Sequence, residues 1–127
     1  MALTLKKLEA MTDYQLSSVV LRSIAINKAL TNWFPVSHCK SKAGIETVES
    51  ADYHVRYFDI NDPSDMWPLI FEFLIETAPL ANITKWKAVA VHYNKRGVPI
   101  SFTAHHTNPL RAAAIVYILI MQEKDNE

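Results

Sequence analysis

Glycine is almost missing from this chain: Gly44 and Gly97 are the only two in 127 residues. Loops that cradle phosphate need glycines at fixed spacing so that backbone can approach the ligand, and a P-loop or dinucleotide fingerprint is therefore excluded. Cysteine is scarcer still. The single Cys39 rules out an intramolecular disulfide and fits a reducing compartment. Net charge is absent as well, with 13 basic residues against 13 acidic. Nucleic-acid binding ordinarily needs a basic excess, because phosphate contacts dominate that affinity, so no direct nucleic-acid partner is expected. A chain without net charge also lacks the repulsion that keeps copies apart, and a homo-oligomer is expected. Long apolar runs are missing too. The longest, Ala112 to Met121, is about half of the roughly 20 residues needed to span a bilayer. The opening "MALTLKKLEAMTDYQ" lacks the apolar stretch of a secretory signal.

Metal and nucleophile signatures are missing in the same way. Five histidines are present, but no CxxC, HxxxH or HExxH spacing occurs. His105 and His106 are neighbours, and neighbouring strand residues point to opposite faces, so the two cannot chelate one ion without a bend. Ser37, His38 and Cys39 adjoin without a GxSxG elbow, and Cys39 reads as a small hydrophobe. No metal, no cofactor and no catalytic residue is expected. The best enzymatic candidates are Asp59, Asp62 and His54, and the three acids Asp59, Asp62 and Asp65 are explained by a helix start, where carboxylates are favoured.

What is present describes an ordered α+β domain spanning 1–127, with an N-terminal segment at 1–11 and a solvated tail at 124–127. Half of the residues are hydrophobic, enough for a core. Thr12 and Gln15 have capping-box spacing, and Met11 and Leu16 occupy the hydrophobic-staple positions. They start a helix of about four turns whose stripe is Leu16, Val19, Val20, Ile24 and Asn27. "FPVSHCK" predicts a short strand, followed by a loop through Gly44 and a brief "ETVES". "DYHVRYFDI" alternates as a strand. Ser64 is the predicted N-cap of the next helix, with Pro68 its fourth residue and Trp67, Ile70, Phe71 and Leu74 its buried stripe, closed by Pro79. "KWKAVAVHYNKRGVPISFTAHHT" predicts a hairpin around "NKRG". Pairing Tyr93 with Val98 sets Lys87, Val89, Val91 and Tyr93 on one face with Val98, Ile100, Phe102 and Ala104, and brings Trp86 opposite His105. Asn108 and Pro109 then cap and open a last helix that is apolar almost all round, buried by the sheet or by a second subunit. The expected architecture is a small antiparallel sheet with a C-terminal hairpin, packed by about three helices.

One constellation suggests binding. Trp86 and His105 on the hairpin adjoin Thr107, Asn108 and Arg111 at the start of the last helix. An aromatic plane and an arginine at a helix N-terminus can receive an anion or a nucleotide. Ordinary capping and tryptophan packing explain the same residues structurally. A charged Arg111 at the head of an apolar helix needs a partner in either case, an acidic side chain or a ligand.

The stretches "MTDYQLSSVVLRS", "FDINDPSDMWPLIFE", "KWKAVAVHYN" and above all "TNPLRAAAIVYILIMQE" together resemble the bacteriophage NinX-like family, from about Thr12 to Glu123. The likeness is weakest from Asn32 to Ser50, and the "DYQLS" start has drifted. Asp13, Asp65, Trp67, Pro68, Trp86, Asn108, Pro109, Leu110 and Arg111 match its pattern. The resemblance implies a small phage accessory protein in the host bacterial cytoplasm, with no catalytic residues to carry over. It implies action by binding: inhibition of a host defence system, by blocking a defence protein or by sequestering a nucleotide immune signal. The alternative is an adaptor of phage or host replication and recombination proteins; a nucleotide-acting enzyme is the third reading.

Overall fold

The computed structural model describes residues 3–24, 31–49, 52–81 and 84–125. Its element order is α1 (Leu5–Ala10), α2 (Asp13–Ile24), β1 (Thr31–Val36), β2 (Cys39–Glu49), β3 (Asp52–Asp59), α3 (Pro63–Glu72), β4 (Glu76–Pro79), β5 (Trp86–Tyr93), β6 (Pro99–His106) and α4 (Pro109–Asp125). The class is α+β, as the sequence predicts. The sheet content exceeds the expectation: the described residues form two antiparallel three-stranded sheets, β1-β2-β3 and β4-β5-β6, and four helices. The N-terminal segment is not a simple extension. It forms α1, capped by the Thr4 side chain, and drives Leu8 fully into the core. At the other end Gln122 exchanges both side-chain bonds with the Leu3 backbone, so the two ends of the chain are tied together.

The capping box starts α2 as predicted: Thr12 N–H donates to Gln15 Oε1 at 2.9 Å, and Gln15 N–H to Thr12 Oγ1 at 3.1 Å. Its buried face is Leu16, Ser17, Val20 and Leu21; Asn27 lies outside the described residues. Ser17 replaces an apolar stripe position because its hydroxyl joins elements. Oγ donates to the Ser41 carbonyl (2.6 Å) and accepts from Ile60 N–H (3.0 Å), fastening α2 to β2 and to the end of β3. Gly44 is not in a loop. It sits mid-strand, paired with Phe34 on β1 and Tyr57 on β3. A Cβ there would stand 2.5 Å from Phe34 Cε2, so the missing side chain makes room for a ring laid across the strand. That ring meets Tyr57 edge-on at 6.1 Å.

The second hairpin differs from the predicted one by a single residue. Tyr93 pairs with Pro99, not Val98. Asn94 accepts with its side chain from the N–H groups of Arg96 and Val98, and Gly97 adopts φ +78, which makes a loop one residue longer than the pairing of Tyr93 with Val98 allows. A one-residue slip flips a strand's faces. Ala88, Ala90 and Ala104 therefore line the core together with half-buried Phe102, while Val91 and Tyr93 face solvent. Small alanines on that face let α4 approach the sheet. Its residues Ala112 to Ile118 are all buried, against β5 and β6 and against α2 and α3.

Candidate functional site

Two regions stand out, and the first is polar. Asn108 caps α4, its Oδ1 accepting from Leu110 N–H at 2.9 Å, and its Nδ2 donates to Asn61 Oδ1. Asn61 Nδ2 donates in turn to Asp13 Oδ2 at 3.0 Å. Arg111 lies across the same place. One terminal nitrogen pairs with Asp13, and the other donates to the carbonyls of Glu9 and Met11. The guanidinium thus closes the α1–α2 corner onto the head of α4. The Arg111 side chain is 7 % exposed and that of Asp13 39 %, and Arg111 Nε is buried without a partner. Of the two partners the sequence allows Arg111, an acidic side chain or a ligand, the fold supplies an acidic one, Asp13.

Of the sequence-predicted ligand-binding residues, Asn108 and Arg111 meet here through Asn61 and Asp13. The others do not join them as proposed. The register sets Trp86 opposite His106, so the predicted pairing with His105 is wrong; His105 is exposed on the other face, opposite Lys87. Thr107 is exposed beside His106. His106 Nδ1 accepts from Asn108 N–H at 2.9 Å. Burial, and then the nearby Arg111 charge, push this imidazole below its ordinary range. An open cleft of about 540 Å³ adjoins the junction, lined by Thr12, Asp13, Lys40, Ser41 and Asn61.

The enzymatic candidates are part of the same framework. Asp59 accepts from Asn61 N–H (2.9 Å) and from the Cys39 thiol (3.3 Å). Its own N–H donates to Asp65 Oδ2 at 3.0 Å. Burial, followed by the charge of Asp62, raises Asp65 above the usual carboxylate range. His54 is exposed on β3, away from this turn. Among the described residues no group of three or more His, Cys, Asp or Glu side chains is placed to hold a metal ion, and no helix is long and apolar enough to cross a membrane.

The second region is apolar. Asp62, not Ser64, caps α3: its carboxylate accepts from Ser64 N–H at 2.9 Å, and Pro63 takes the first helical position. Pro68 is consequently the sixth helical residue. Its missing N–H leaves the Ser64 carbonyl, on an exposed residue, to water. The buried stripe is Met66 and Leu69, continued by half-buried Phe73, which meets Tyr117 of α4 edge-on at 5.2 Å. Of the predicted stripe only Ile70 packs, half-buried, against the core; the other three are on the wrong side. Trp67 is 60 % exposed, Phe71 70 % and Leu74 79 %.

These three line a hollow of about 410 Å³ with Ile70, Ile75 and Glu76. Leu74 ends the helix at φ +52. The bonds around it, Ile75 N–H to the Ile70 carbonyl and Leu74 N–H to that of Phe71, are those of a Schellman turn, whose left-handed residue is ordinarily glycine. A leucine there carries about 1–2 kcal/mol of steric cost without the compensation of burial. The sequence signal for this face was available only as an ambiguity: α3 is apolar on two sides and just one side meets the core.

A family model described as Bacteriophage P22, NinX matches residues 7–122 of the chain. No curated protein and no solved structure matches it.

Proposed function

The chain belongs to the NinX family of bacteriophage P22 and is a phage accessory protein, and from that premise we propose that it acts without catalysis, by binding another protein through the exposed face of α3. The observation that carries this reading is Leu74: a large apolar side chain, 79 % exposed, held in a backbone conformation that disfavours it. Strain kept where it adds nothing to the core points to a role at the surface. Trp67 and Phe71 beside it are the residue types that anchor protein interfaces. The partner class we propose is a host defence protein in the bacterial cytoplasm, whose working surface the phage protein covers.

An adaptor role toward replication or recombination proteins uses the same face, and an apolar patch on a helix favours it equally; the identity of the partner separates the two. Sequestration of a nucleotide signal draws no such support, because both terminal nitrogens of Arg111 are already engaged within the fold. The test is a photo-crosslinking phenylalanine analogue placed at Trp67, compared with one at Lys95 in the β5–β6 loop, in infected cells. A discrete adduct from position 67 alone is expected, its mass identifying a host defence protein or a replication protein. Adducts of equal yield from both positions, or from neither, contradict the reading.

A further inference from the structure

The surroundings of the α3 face describe what it binds. Main-chain pairing offers little. Leu80 N–H donates to the Lys85 carbonyl, so by antiparallel alternation Ala78 and Glu76 also turn their backbone groups toward β5. Thr77 and Pro79 are left at the open edge of β4, and a proline has no N–H to give. An extended peptide would find one donor there. A helix needs none, and Trp67 and Phe71 stand at i and i+4 on α3 with Leu74 just past its end, an apolar surface that fits a facing helical groove.

Charge narrows the occupant. From Phe58 to Thr84 the chain has five acidic residues and no basic one; Asp59, Asp62 and Asp65 serve the turn and cap at the start of α3, which leaves Glu72 and Glu76 at its far end. Glu76 is exposed and lines the hollow itself, whereas Glu72, exposed at the end of α3, lies outside that lining and within electrostatic reach of Tyr117 on α4. Lys124 lies over the Phe73 ring on the α4 side, and Lys87 comes opposite Ala78 in the sheet; neither lines the hollow. A second copy of this chain would bring the same carboxylates together across a twofold axis, since such interfaces are self-complementary.

We propose that this face takes an amphipathic helix of a partner protein whose apolar anchors are flanked by lysine or arginine. The inference rests on the protein-binding reading and specifies the partner's chemistry. Two labelled helical peptides of about five turns test it by fluorescence anisotropy: one with leucines on one stripe and lysines elsewhere, one with glutamates in place of the lysines. The full chain should prefer the lysine peptide by roughly tenfold or more, with the preference shrinking as salt rises. Phe71→Ala, at an exposed position and with its melting temperature checked, should abolish that binding. Glu76→Lys, which changes the one carboxylate lining the hollow, should remove or reverse the preference.

Equal binding of both peptides, lost in Phe71→Ala, overturns the charge inference and leaves the protein-binding face standing. Binding of the lysine peptide that survives Phe71→Ala overturns the assignment to this face. Self-association lost in Phe71→Ala makes a second copy the occupant, and binding to anionic vesicles lost in the same variant makes it a membrane; either overturns the proposal. Absence of binding by both peptides overturns it too, while the crosslink at Trp67 tests the broader reading independently.

Discussion

The head of α4 and the outer face of α3 invert the usual division of labour between polar and apolar residues. At the first, an arginine, an aspartate and two asparagines lie half-buried or deeper and bind one another. At the second, a tryptophan, a phenylalanine and a leucine stand in water. Polar residues drawn together normally advertise a site, and apolar ones at helical spacing normally advertise a core. Here the polar set is structural: Arg111 satisfies carbonyls at the end of α1 and just beyond it, Asp13 neutralises it, and Asn61 and Asn108 pass the connection to the β3–α3 turn. Trp67, Phe71 and Leu74 remain exposed to solvent among the described residues. Satisfaction decides between function and framework more reliably than residue type: both terminal nitrogens of Arg111 are bonded within the fold, and its one unpartnered nitrogen, Nε, is buried.

The comparison breaks most visibly at Arg111. Removing one partner of a buried pair costs about 3–5 kcal/mol, here near the lower end because Asp13 is partly exposed and keeps Asn61. Arg111→Ala should therefore lower the melting temperature by roughly 10 °C or more, with binding at the α3 face retained in the fraction that folds. A fully stable variant would contradict the framework role. Asn108→Ala should cost about 1–2 kcal/mol in chemical denaturation, as for loss of an N-cap, with Asn61 left short of a donor. A loss within experimental error would mean the cap is not holding the helix head.

The third break is by acid. The His106 pKa is lowered in the fold, so the folded state favours neutral imidazole, and Nδ1 must stay unprotonated to accept from Asn108 N–H. That stability is present above the unfolded value of 6.5 and is lost as pH falls through the lower folded value. Melting temperature should decline from pH 7.5 to pH 5, and His106→Ala should flatten the decline; an unchanged slope would remove His106 from the junction. The smallest stability effects belong to the other region. Trp67→Ala and Phe71→Ala should each shift unfolding by no more than about 0.5 kcal/mol, while both lose the crosslinked or peptide-bound partner. A destabilisation of several kcal/mol would show that the ridge is packed after all.

How far these features could be read without coordinates depended on the range of the signal. Caps and helix starts are local, so the Thr12–Gln15 box, Asn108, Pro109 and the apolar body of α4 were legible. The α3 cap falls two residues earlier than predicted, and α4 runs on through Lys124 and Asp125, which the sequence pattern assigns to the tail. The hairpin was legible but its register was not: the Asn94 side chain bridges a loop that composition alone makes look one residue shorter, and the slip separates Val91 and Tyr93 from the face of Phe102 and Ala104. Gly44 was misassigned because a strand glycine under an aromatic ring looks like a loop glycine. β4 was missed because Pro79 reads as a stop signal, whereas on an edge strand it needs no partner. At α3 two apolar stripes, Met66–Leu69–Phe73 and Trp67–Phe71–Leu74, both follow helical periodicity, and only the position of α4 chooses between them. The need of Arg111 for a partner was legible; that the partner is Asp13, almost a hundred residues earlier, was not.

Leu74→Gly tests the central claim most directly, with unfolding and the Trp67-position crosslink measured on the same variant. Glycine relieves the left-handed strain and removes an exposed side chain, so the account predicts a melting temperature unchanged or raised by a few degrees, the equivalent of up to about 1 kcal/mol, together with a clear loss of the adduct. A lowered melting temperature with the adduct intact would mean that Leu74 serves the fold, and that the face of α3 is not where this protein meets its partner.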